Sequence, residues 1–133
     1  MNRRRFLRRA AWLGGSLSLW PAVAFGRSTE TPSARQACRI ASIFSRPVSA
    51  ARVGRVYLRD HPDEASLDRL LQRLAAGWPG GAAQIERLSN GQLRRRLQRK
   101  IRADFAAGRT VRVQGWVLAE SEARLFALTT LAA

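Results

Sequence analysis

Five consecutive residues, Asp60-His61-Pro62-Asp63-Glu64, are where acid–base chemistry could be read in this sequence. An imidazole beside carboxylates can act as a general base when a reacting group lies within hydrogen-bond reach. No Ser or Cys nucleophile motif accompanies the run, and each of its residues has a competing structural role. His61 precedes Pro62, a position that disfavours helical geometry and so marks a break between two helices. Asp63 and Glu64 fall in the first turn after that break, where the helix dipole favours anions. The structural role is the expected one, and no catalytic residue is assigned.

The chain has one Cys and one His, which excludes an internal disulfide framework and a closed zinc site. Cys38 follows Arg35-Gln36-Ala37, so it does not close an apolar leader as a lipid-anchored cysteine would. It is expected to be a small apolar residue of the first helix beside Ala34 and Ala41, with a disulfide to another chain as the alternative. Gly77-Trp78-Pro79-Gly80-Gly81 lacks the following Lys and the preceding strand of a phosphate loop. No cofactor or metal is expected.

Arg94, Arg95, Arg96, Arg99, Lys100 and Arg102 make one segment strongly basic. Arg95, Arg99 and Arg102 are spaced i, i+4 and i+7 and should share one side of a helix, away from Leu97 and Ile101. A polyanion would be attracted there by counterion release, but no aromatic residues interleave to stack bases. A solvated face is the expected reading. An acidic protein or anionic lipid headgroups are the alternative occupants, and nucleic acid is disfavoured. Trp78 and Trp116 flank loops and are candidate partner contacts, with core packing as the competing role.

The elements that position these residues follow from spacing. The 133 residues, 46% of them apolar, suit one small domain. Thr31-Pro32 starts a helix whose Ala34, Ala37, Cys38, Ala41 and Phe44 recur at helical spacing through Ser45. Pro47 opens a second helix to about Asp60 with Val53, Val56 and Tyr57 on one side; Gly54 weakens it by about 1 kcal/mol unless close packing requires a glycine. A third begins at Pro62 and carries Leu67, Leu70, Leu71 and Leu74, the clearest amphipathic pattern in the chain. A short helical turn over 82–88 precedes a break at Ser89-Asn90-Gly91. A fourth helix runs from about Gln92 to Ala107, closed by Gly108, with Leu93, Leu97, Ile101 and Phe105 winding slowly across one face. Residues 110–118 alternate as a short hairpin around Gln114-Gly115, and a last helix from Glu120 carries Leu125, Leu128 and Leu131. The expected fold is therefore mainly α: a small bundle of four to five short helices over 32–133 with one β-hairpin near residues 110–118.

The first 24 residues read as an address. A basic start over Arg3 to Arg9 precedes a short apolar stretch and Pro21-Ala22-Val23-Ala24, the layout of a cleavable export signal. Arg3-Arg4-Arg5-Phe6-Leu7-Arg8 resembles the twin-arginine motif: Arg3 and Arg4 as the pair, Phe6 and Leu7 as the apolar pair, Arg8 as the basic position. The resemblance implies recognition by the bacterial twin-arginine export machinery and delivery of an already folded chain to the periplasm or beyond. Ala22 and Ala24 would define the cleavage point, with 25–31 as a linker. The formal charge of the whole chain is +15, and the body remains basic without the signal.

In size, signal and helical makeup the chain resembles the small subunits of exported sugar-acid and polyol dehydrogenases, which help a signal-less flavoprotein subunit reach the periplasm. What this implies is a non-catalytic accessory or escort protein for a larger partner. The alternative is a free-standing basic module that binds an anionic surface or an acidic protein.

Overall fold

A computed structural model describes residues 30–43 and 47–132. The export-signal residues Arg3, Arg4, Phe6, Leu7 and Arg8, the cleavage residues Ala22 and Ala24, and Phe44 lie outside the described residues. The order is α1 (Pro32–Ala41), α2 (Pro47–Asp60), a 3-10 turn (Pro62–Glu64), α3 (Leu67–Leu74), a second 3-10 turn (Gly81–Ala83), α4 (Gln84–Arg87), α5 (Asn90–Ala106), β1 (Thr110–Val113), β2 (Trp116–Ala119) and α6 (Glu120–Ala132). Among the described residues the fold is mainly α with a single antiparallel hairpin, as the sequence predicts.

Local chemistry sets most boundaries. Thr31 Oγ1 accepts from the Ala34 amide, 3.2 Å away, and Pro32 occupies the first helical position of α1. That helix stops at Ala41, short of the expected Ser45. Ser42 Oγ turns back to donate to the Arg39 carbonyl, a local bond that competes with helix continuation. The third helix also begins later than expected. Pro62–Glu64 is a separate 3-10 turn, and Ser66 caps α3 by accepting from the Arg69 amide at 3.2 Å. Conversely, α5 begins earlier than expected. The expected break falls at Leu88 and Ser89, while Asn90 and Gly91 already belong to the helix; Ser89 caps it, accepting from the Gln92 amide while its own amide donates to Gln92 Oε1 at 2.9 Å.

The hairpin pairs Thr110 with Ala119 and Val113 with Trp116. Gln114 and Gly115 both have positive φ, 51° and 84°, the signature of a two-residue loop whose twist matches that of its strands.

The last helix is the hub. α6 packs against α1, α2, α3, α5 and both strands, and Ser121, Ala123, Leu125, Ala127, Leu128 and Thr129 are buried along it. Leu125 and Leu128 belong to the core as expected, whereas Leu131 is 37% exposed near the helix end. Ile40, Tyr57, Leu70, Leu71, Leu74, Ile85 and Leu93 complete the core from the surrounding elements.

The backbones of α2 and α6 approach closely at Gly54. A Cβ on Gly54 would stand 2.1 Å from the Phe126 carbonyl oxygen, and Thr130 Oγ1 donates to the Ala51 carbonyl at 2.7 Å beside it. Gly54 is there because two helix backbones touch, which outweighs its low helix propensity.

Candidate functional site

The Asp60–Glu64 run goes mainly to structure, and not in the way its spacing suggests. Glu64 does not sit free on a helix terminus; it is 5% exposed and turned into the core. Arg124 of α6 meets it in a two-pronged pair, Nε to Oε2 at 2.9 Å and Nη2 to Oε1 at 3.0 Å. Tyr57 donates its hydroxyl to the same Oε2 at 2.8 Å, and Arg124 reaches Glu120 at 3.4 Å. Burial opposes the charged form of Glu64, but the hydrogen bonds from Arg124 and Tyr57 outweigh it and hold the carboxyl below its usual range. Burial, followed by the bond to Glu64, pushes the Tyr57 phenol up. His61 stacks on the Tyr57 ring with centroids 4.1 Å apart, its Nδ1 3.0 Å from the Tyr57 carbonyl oxygen. Both oxygens of Glu64 are engaged by this clasp, which ties the α2–α3 connection to α6.

A second carboxylate clasp positions the hairpin. Asp104 lies on the inner face of α5 with Leu93 and Leu97 and is 3% exposed. It accepts from the Ser121 amide at 3.1 Å and from Arg109 Nε at 2.9 Å. Burial disfavours its charge, and the bonds from Ser121 and Arg109 more than offset that, so its carboxyl is held low. The acid thus sits at the amino end of α6 and fixes the strand entry at Arg109.

The hairpin so held presents the most exposed aromatic side chain among the described residues. Trp116 is 72% exposed and Val117 beside it 48%. Arg112, the cross-strand partner of Val117, is exposed with it. Trp78 fares differently: it is half-buried against the core, and the Arg96 guanidinium lies over its ring at 5.2 Å from the centroid. Of the two candidate anchors, Trp116 is presented and Trp78 is partly used by the fold.

Trp78 also lines a groove of about 460 Å³ with Ser33, Gln36, Asp68, Leu71 and Gln72. Asp68, its one charged wall, is hydrogen-bonded by the Ser33 hydroxyl. Cys38 is exposed, not packed beside Ala34 and Ala41 as expected, because α1 turns Gln36, Ala37 and Ile40 inward. Among the described residues, no group of three or more His, Cys, Asp or Glu stands close enough to hold a metal ion, and no helix is long and apolar enough to cross a membrane.

Arg95, Arg99 and Arg102 share the outer face of α5 and are exposed, opposite the buried Leu93, Leu97 and Asp104. The roles of Glu64, Asp104 and Arg124 had no signal in local spacing, because their partners are distant in sequence. No protein-family model, curated protein or solved structure matches the chain.

Proposed function

We propose that the chain is a non-catalytic accessory protein, exported by the twin-arginine route, that escorts a larger protein partner by docking it on the hairpin. The observation that carries this reading is Trp116, 72% exposed on a tight two-residue turn while the core is filled without it. A large amphipathic ring held out on a rigid support contributes little to its own fold and suits the centre of an interface, where such residues dominate binding. Val117 and its cross-strand partner Arg112 add exposed apolar and charged surface on the other face of the same hairpin. The Asp104 clasp keeps this surface in place before binding, which lowers the ordering cost of association.

Export of folded cargo, implied by Arg3-Arg4-Arg5-Phe6-Leu7-Arg8, gives the escort its logic, because a partner bound in the cytoplasm can cross as a complex. The test is a photoreactive aromatic residue placed at position 116 in living cells. The expected product is a discrete adduct with one larger protein that carries no export signal of its own. Absence of an adduct, or an adduct with an independently exported protein, would overturn the reading.

A further inference from the structure

The outer face of α5 is a surface separate from the hairpin turn. Arg95, Arg99 and Arg102 span about 10 Å along one line of that helix at 1.5 Å per residue. All three are exposed, and none makes a hydrogen bond or ion pair to another described residue, unlike Arg35, Arg39, Arg59, Arg109 and Arg124. Arg94 flanks the line, exposed as well. One turn beyond Arg102, Phe105 is 47% exposed, so the row of cations ends in an aromatic ring.

We infer that this face binds the surface of an anionic phospholipid bilayer, with the guanidinium groups on lipid phosphates and Phe105 at the edge of the acyl region. Charge complementarity supplies the attraction, since these cations have no internal acid to satisfy them. Guanidinium groups engage phosphate through paired N–H donors, which a solvated row of arginines can do several times over. Shape separates a sheet of headgroups from a single nucleic-acid strand. The face is the convex outside of a single helix, which lies flat on a sheet of headgroups but cannot enclose a nucleic-acid strand. The aromatic ring stands at one end of the row, where it can enter a membrane interface, and not between the cations, where it would stack bases.

The test is co-sedimentation of the full chain with vesicles of phosphatidylglycerol mixed into phosphatidylcholine, and with phosphatidylcholine alone. Binding is expected only to the anionic vesicles, and it should be lost in about 1 M salt, where the screening length is about 3 Å. Replacing Arg95, Arg99 and Arg102 together with Gln should lower partitioning on the order of 100-fold, since each cation near an anionic surface contributes about fivefold. Circular dichroism of the triple variant should match the parent. Phe105→Ala should weaken partitioning by roughly tenfold through lost apolar burial. Equal binding to both vesicle types, or unchanged binding by the triple variant, would overturn the inference. So would a single-stranded or duplex oligonucleotide that binds the same arginines while vesicles do not. Arg95, Arg99, Arg102 and Phe105 belong neither to the export motif nor to the hairpin, and the comparison of the triple variant with the parent isolates their face, so its failure leaves the escort reading standing, and the reverse also holds.

Discussion

Two buried carboxylates and one glycine carry consequences out of proportion to their size. Glu64→Gln removes the two-pronged charge opposite Arg124, whose side chain is only 12% exposed, and leaves that cation with only its longer, 3.4 Å contact to Glu120. Breaking a buried pair from one side costs about 3–5 kcal/mol, and chemical denaturation of the variant should show a loss of that order at neutral pH. The pH dependence has a definite sign. The folded-state pKa of Glu64 lies below its ordinary value of 4.5, so the carboxylate stabilises the fold above that pH and the contribution fades as pH falls through the folded-state value. The stability gap between parent and Glu64→Gln should therefore be full at pH 7 and shrink below about pH 4.5. Asp104, also held low, acts in the same direction, whereas Glu122, pushed up by burial, acts in the opposite one. At Gly54 the steric conflict with the Phe126 carbonyl oxygen is with backbone, which cannot swing aside. Gly54→Ala, normally helix-stabilising, should instead lower stability by more than about 1 kcal/mol, visible as a fall in Tm; an unchanged or raised Tm would contradict the packing of α2 on α6.

Elements whose burial is one-sided were legible, and those buried all round were not. Leu70, Leu71 and Leu74 of α3 line one face and are all buried, as their spacing predicts. Leu71→Ala should cost about 2–5 kcal/mol in thermal or chemical denaturation, and a variant that melts like the parent would place that face outside the core. The stripe of α5 drifts out of the core as steps of four residues must: Leu93 and Leu97 are buried, Ile101 is half-buried and Phe105 is exposed. By contrast, α6 shows inward residues on most of its circumference, and its apolar spacing does not announce that it is the centre of the molecule. Local spacing starts α3 at Pro62, whereas Glu64 is drawn inward by an arginine 60 positions away, a force that no local window contains. At the candidate site, Trp116 and Trp78 looked alike in sequence; what separates them is that Arg96 and the core cover one and the tight hairpin turn exposes the other.

At the scale of the whole molecule, α6 gathers the other elements around one core, and two carboxylate clasps lock its first turns, one to the α2–α3 connection and one to the hairpin. That arrangement leaves two outward surfaces with different chemistry, an apolar hairpin turn and a cationic helix face. The escort reading joins the first of them to the export motif at Arg3-Arg4, and it is tested most directly by fractionating cells that make Trp116→Ala together with the partner identified by cross-linking. An exposed side chain can be removed with little change in stability, whereas loss of a central aromatic anchor costs about 2 kcal/mol or more of binding, roughly thirtyfold. The Trp116→Ala chain should itself be exported at the parent's level while its partner accumulates in the cytoplasm. Undiminished export of the partner alongside the Trp116→Ala chain would contradict the escort reading.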